Sequence, residues 1–341
     1  MRSSRNSFLL IVSVVVLVLS LFLNISLGSV TISTGELLDG LFFNKWERAS
    51  FEQIILNYRF PKAIVAVLAG IGLSISGLQM QTFFRNPLAG PYVLGISSGA
   101  GFGVAILILA GSIFGFASTA ISPWATALAG TLGAGLILAL VSLVAWRVKD
   151  SMTLLIVGIM FGAAVSAIIS VLAFFSGAEA LKLYTIWSLG SLGGLGWNQV
   201  GLLSFVVFLG LIPVIFSIRS FNASLLGESY AESMGVNPNR LRWLMIGSTG
   251  LLAGAITAFC CPIAFVGIAV PHLARIVWKT SDHRILFPAS GICGAILLLL
   301  CDAVGQLPGS AQSLPINAVT SLIGAPLVIG LVLRKNFSKE F

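Results

Sequence analysis

Metal or nucleophilic chemistry needs histidine, cysteine or carboxylate side chains at ligand or hydrogen-bond spacing, and the chain is poor in such arrangements. Its two histidines, His272 and His283, each lack a partner at ligand spacing and read as structural or interfacial groups. Its four cysteines, Cys260, Cys261, Cys293 and Cys301, lie inside apolar runs without a C-x-x-C pair and read as small packing residues. Neither a G-x-x-x-x-G-K-S/T phosphate loop nor an H-E-x-x-H motif occurs. No catalytic residue, metal site or cofactor is therefore expected. What remains is the chemistry of charge and contact, carried by a polar loop from Arg219 to Arg240 and by the basic pair Arg59 and Lys62.

The elements that must position these residues are set by composition. Of 341 residues, 57% are hydrophobic and 9% charged, against about 25% charged in a soluble domain. A spanning helix takes about 20 mostly apolar residues, so the chain has room for many spans and none for an internal ATPase or dehydrogenase domain. Apolar segments near 8–28, 61–84, 93–111, 124–146, 152–175, 198–218, 243–261, 263–278, 286–304 and 315–333 predict an all-α polytopic membrane protein, one domain over residues 1–341 with about ten transmembrane helices. The first follows Arg2 and Arg5 and has no A-x-A-like cleavage site after it, so an uncleaved span is expected. The eighth is short and begins after Pro262, which predicts a tilted or broken helix.

Charge fixes the expected orientation. With both termini in the cytoplasm, fourteen of the 19 Lys and Arg residues fall inside and only Lys45, Arg48, Arg59, Lys62 and Lys182 outside. With the acids included, the inner face carries +9 and the outer face −1, which together give the net charge of +8. An odd number of spans would scatter the basic loops over both faces. No charged residue falls near the middle of a span, which disfavours an ion-coupled secondary carrier. The lack of a paired nucleophile and base disfavours an intramembrane enzyme. Small residues recur at four-residue spacing in Gly70/Ser74, Gly99/Gly103, Gly130/Ala134 and Gly250/Gly254, ridges that let helices pack closely.

Within the cytoplasmic loop at 220–240, Leu225, Leu226, Tyr230 and Met234 fall on one face of a short helix, and Gly235 and Asn237-Pro238 stop it. The stretch between Phe221 and Pro238 holds two glutamates and no Lys or Arg. A helix resting on lipid is usually basic, so docking to a protein is the better reading.

Four ordered blocks then resemble a known family. Arg85-Asn-Pro-Leu-Ala-Gly-Pro-Tyr-Val-Leu-Gly-Ile-Ser-Ser-Gly-Ala100 is similar to the signature of FecCD-type permeases, the membrane subunits of ABC importers for iron-siderophores, haem and vitamin B12. It is joined by Leu226-Gly-Glu with Gly235, by Phe265-Val-Gly-Ile-Ala-Val-Pro-His-Leu-Ala-Arg275 with Asp282-His-Arg284, and by Leu314-Pro-Ile with Gly324-Ala-Pro326. The resemblance runs from about Arg59 to Arg334 and implies a type II ABC importer permease fold in the bacterial cytoplasmic membrane. It also implies a second permease copy, two cytoplasmic ATPase subunits that carry ATP hydrolysis, and an extracytoplasmic binding protein. The substrate it implies is an iron(III)-siderophore-type chelate, with vitamin B12 or haem as alternatives.

By the same resemblance Leu226, Gly227, Glu228, Ala231 and Gly235 form the helix that couples to the ATPase. Arg59 and Lys62 resemble an outer Arg-x-Pro-Arg element that pairs with glutamates of the binding protein, Lys62 keeping the charge without the bidentate fork. An anchoring role at the membrane interface is the alternative for this pair. Ser151 matches a gate-region hydroxyl, although its neighbour Met152 departs from the pattern. Gln306 stands where the family has a third docking arginine, and Cys261 and Ala264 stand where it has glycines.

Overall fold

The computed structural model describes residues 2–30, 32–43, 45–46, 48–114, 122–148, 150–306 and 313–333. Fifteen α-helices form among them: α1 Arg2–Ser26, α2 Thr34–Phe43, α3 Ala49–Ile54, α4 Phe60–Phe84, α5 Ile96–Ala105, α6 Gly111–Phe114, α7 Pro123–Arg147, α8 Ser151–Phe175, α9 Ala178–Ser188, α10 Trp197–Ser224, α11 Glu228–Ser233, α12 Pro238–Cys260, α13 Val266–Trp278, α14 His283–Gly305 and α15 Ile316–Val332. Single π-helical turns, Ile55–Arg59 and Ile106–Ala110, fuse α3 to α4 and α5 to α6. Eight stretches are long and apolar enough to cross a membrane, and the shorter apolar helices Val266–Trp278 and Ile316–Gly330 make ten with them.

Side-chain contacts sort the helix ends into two sets, and successive passages alternate between them. At one end Arg5 reaches the carbonyl of Trp278 and Arg242 that of Val148, while Thr82 and Asn222 both meet His283. At the other, Arg59 meets Ile25, Trp197 meets Leu56 and Lys62 meets Asp302. The path from α1 to α15 is thus consistent with the even parity read from the charges. Polar N-caps start three helices at the first end: Asp150 accepts from Thr153 N, Asn237 from Arg240 N and Asp282 from Arg284 N.

Between lipid-embedded helices there is no water to expel, so close backbone packing carries association. The most extensive pair is α4 with α14, followed by α5 with α7. A Cβ added at Gly70 would run into the backbone of Gly294 and Ala295, and one at Gly103 into the carbonyl of Ala129. Two of the small-residue ridges seen in the sequence are thus contact surfaces. By contrast α8 buries only Leu154, Gly158 and Val165, leaving most of its apolar surface uncovered.

The eighth passage is short, as expected, but α13 is one continuous helix, and the break at Pro262 falls ahead of it rather than within it. Helix α12 ends at Cys260, and residues 261–265 run irregularly before α13 begins. Irregular backbone inside a membrane is tolerated only where protein groups satisfy it. Here Tyr92 Oη takes the N–H of Ile263 at 3.3 Å, Asn317 Oδ1 takes that of Ala264 at 3.1 Å, and the Cys260 carbonyl accepts from Ser191 N at 3.1 Å. Cys261 sits at φ +65°, ψ +178°, a conformation that favours glycine. Strain of this kind costs roughly 1–3 kcal/mol. Cys261→Gly is therefore expected to raise the thermal unfolding midpoint in detergent, whereas Cys261→Ala, which keeps the strain, lowers it. Equal midpoints for the two variants would place no strain at this position.

Several helix bounds depart from the sequence reading, most of all in the second and third spans. The second span extends back to Ala49 because the π-helical turn carries the helix past Pro61 without a break. The third begins at Ile96 because Pro91–Leu94 forms a 3-10 turn closed by Gly95 at φ +72°. The short helices α2 and α9 were not anticipated.

Candidate functional site

The loop after α10 is built by two glycines. Gly227, at φ +116°, turns the chain out of α10, and α11 follows at once. Gly235, at φ +83°, ends α11 with its N–H on the Glu232 carbonyl, and the next N–H, of Val236, returns to Ala231 O at 3.0 Å. That pair of bonds is a Schellman stop. Asn237 then caps α12, and Pro238 occupies its first turn.

The result is a six-residue helix that presents itself outward. Leu226, Tyr230 and Met234 are 66%, 52% and 61% exposed, while Ala231 is buried against the bundle. The Glu228 side chain lies outside the described residues, although its backbone opens α11. The exposed apolar side chains thus stand beside acidic residues, and α11 itself holds no Lys or Arg.

Ala231 also lines a cavity of about 510 Å³ at this end of the bundle. Its other walls include Asn86 and Pro87 from the turn after α4, Ser151 and Met152 from the start of α8, and Arg242 from α12. The structure thus joins two features that lie on separate loops in the sequence, the α11 helix and Ser151. Asp150 accepts from both the N–H and the hydroxyl of Thr153 at 2.7 Å, and these bonds, with nearby Arg242, hold its carboxyl below the usual carboxylate range. It therefore caps α8 as an anion.

Arg242 carries no motif signal in the sequence, yet it fixes this wall. Its buried guanidinium donates to Val148 O at 2.8 Å, approaches Ala145 O at 3.5 Å, and lies 5.8 Å from the centre of the Phe83 ring. The last carbonyls of α7 lack intrahelical donors, and a cation there satisfies both their hydrogen bonding and the helix dipole. The same device recurs where Arg5 holds the Trp278 carbonyl at the end of α13.

At the opposite end the structure places Arg59 and Lys62 differently from the exposed docking pair that the resemblance implies. Arg59 is 8% exposed. Its guanidinium donates to the carbonyls of Ile25 and Ser26, both at 2.9 Å, and to that of Val30. The first two end α1 and the third lies in the turn that follows it, and all three take their donor from Arg59, which is why the charge turns inward. Lys62 Nζ pairs with Asp302 Oδ1 at 2.8 Å, and Asp302 Oδ2 accepts from Asn24 and Gln306. Gln306 thus buttresses the acid that holds Lys62. Arg59→Gln is expected to lower stability in detergent by about 2–3 kcal/mol, the scale of charge-assisted hydrogen bonds left unmade. An unchanged melting point would instead free Arg59 for a partner.

The FecCD transport family model matches residues 16–334. The chain belongs to this family. It is 34% identical over 324 residues to the vitamin B12 import system permease protein BtuC of Escherichia coli O17:K52:H18, a match that covers 94% of this chain and 93% of the relative. The BtuC of Shigella flexneri matches over the same span at the same identity. Among solved structures, an inward-facing ABC transporter of metal-chelate type superposes with a TM-score of 0.84 at 29% identity, covering 96% of this chain and 99% of the other. A chain of PsaBC from Streptococcus pneumoniae, in complex with Fab, shares the fold at a TM-score of 0.57 and 15% identity, covering 90% and 98%. The protein is a multi-span permease subunit of an ABC importer of the FecCD type.

Proposed function

We propose that this permease carries an iron(III)-siderophore-type chelate across the bacterial cytoplasmic membrane, driven by two ATPase subunits that dock on α11 and supplied by an extracytoplasmic binding protein. ATP hydrolysis belongs to the separate subunits, and the permease contributes motion. The observation that supports the ATP-driven part of this reading is α11 itself, a glycine-bracketed helix with an outward apolar face, seated on the same cavity as Ser151, and the chelate is favoured by the similarity to the transporter of metal-chelate type. A push on α11 has a direct path to the mouth of the bundle. Vitamin B12 is the second reading, favoured by the similarity to BtuC.

The orientation that fits is the one with α11 and the basic loops in the cytoplasm. The sparsely buried flank of α8 suits a second copy of the chain, with the path running along their shared face. Of the proposed docking pair on the outer side, Lys62, a quarter exposed, is the one within reach of a binding protein, and Arg59 serves as the cap of α1.

Uptake tests both substrate readings in cells that lack other chelate importers and express this permease with its ATPase and binding protein. Radio-iron ferrichrome accumulates and radio-cobalt cyanocobalamin does not if the first reading holds. The reverse pattern establishes the second, and uptake of neither rules out both.

A further inference from the structure

Beside the cavity lies a buried polar chain that the coupling reading does not by itself require. His283, the first residue of α14, is fully buried. Its backbone N–H and its ring Nδ1–H both donate to Asn222 Oδ1 at 2.8 Å. Asn222 Nδ2 donates in turn to Asp282 Oδ1 at 2.7 Å. With Nδ1 protonated, His283 Nε2 accepts, and it lies 2.9 Å from Thr82 Oγ1, whose single proton it shares with the Leu78 carbonyl, also at 2.9 Å. Phe221 and Phe287 pack on the imidazole, with ring centres 5.5 and 5.3 Å away.

The three bonded residues stand at strategic positions in the chain. Asn222 is in the last turn of α10, just before the segment that turns into α11. Thr82 is in the last turn of α4 and, with Arg85, Asn86 and Pro87, lines the cavity. His283 and Asp282 form the capped start of α14. A single imidazole, itself fully buried, therefore ties the root of α11 to two other helices. Three helices that merely packed together would need no polar group here, since burying one costs free energy unless it is fully paired.

We propose that Thr82, Asn222 and His283 are positioning residues that lock the root of the α11 loop to the inner ends of α4 and α14, so that displacement of α11 shifts the Arg85–Pro87 wall of the cavity. The proposal rests on α11 being the ATPase-docking helix. Aliphatic replacement leaves the helices packed by Phe221 and Phe287 and removes only the directional link, so assembly survives while transmission fails.

The test uses the full chain in lipid nanodiscs, with spin labels on cysteines introduced at Ser233 and Ser281, both exposed. The expected result is one narrow distance distribution in the parent and in Thr82→Ser, and a broadened one in Thr82→Val and Asn222→Ala. In the complex assembled with ATPase and binding protein, the same two loss variants are expected to hydrolyse about tenfold more ATP per chelate carried, the scale of substitutions along a coupling path. A parent-like distribution and ratio in Thr82→Val overturns the proposal, even should Asn222→Ala fail to fold. The distance measurement needs no ATPase, so its outcome stands apart from that of the docking assignment. If ATPase binds elsewhere than α11 while the distribution broadens as expected, the docking reading has failed and the lock remains.

Discussion

Glu228→Arg is expected to abolish ATP-driven transport and ATPase association while leaving membrane insertion intact. Glu228 opens α11, where the exposed N–H groups of the first turn give a partial positive charge that an acid complements and a cation opposes. The helix carries Glu232 as its other charge and no cation. A partner shaped for that surface would meet an arginine with repulsion. Reversal of a charge within a docking surface costs about 2–5 kcal/mol, or roughly thirtyfold to several thousandfold in affinity. The check is the amount of ATPase that co-purifies with the variant, together with uptake in proteoliposomes. Parent-like values for both would remove α11 as the coupling helix. Insertion should be untouched because α11 lies outside every candidate span.

Gly70→Val is expected to prevent the bundle from assembling. Gly70 faces Gly294 across the α4–α14 contact, where even one added carbon meets backbone rather than a movable side chain. Ser74, one turn further along α4, already spends its hydroxyl on the Gly70 carbonyl at 2.7 Å, so no side chain can give way at this crossing. Overpacking a tight core costs about 1–3 kcal/mol and more where backbone must part. The measurement is the yield of monodisperse protein after detergent extraction, with Gly135→Val as the control because a Cβ there meets nothing within 4 Å. Equal yields for both variants would show that the α4–α14 approach is not required.

The sequence made some of this architecture legible and hid other parts for physical reasons. Spans are written as runs of apolar side chains, so ten of them and their parity could be read directly. The α11 helix was visible because Gly235 and Asn237-Pro238 are stop signals and its apolar residues repeat at helical spacing. The break at Pro262 was visible for the same reason. Contacts made by backbone carbonyls leave no such trace. Arg59 resembles a surface docking cation until the carbonyls of Ile25, Ser26 and Val30 are found around it, and Arg242 has no motif at all. Ser151 and Ala231 line one cavity only because the ends of α8, α10 and α12 and the α11 loop come together. Asn222 carries no signal of its contact, since nothing in its neighbourhood announces a histidine on a distant helix.

The claim that this permease is ATP-driven is tested most directly by transport in proteoliposomes that hold the permease with its ATPase, supplied with loaded binding protein. Chelate accumulation that starts on addition of ATP, needs the ATPase and ignores a collapsed ion gradient is the predicted result. Accumulation driven by a proton or sodium gradient in liposomes that hold the permease alone would contradict it.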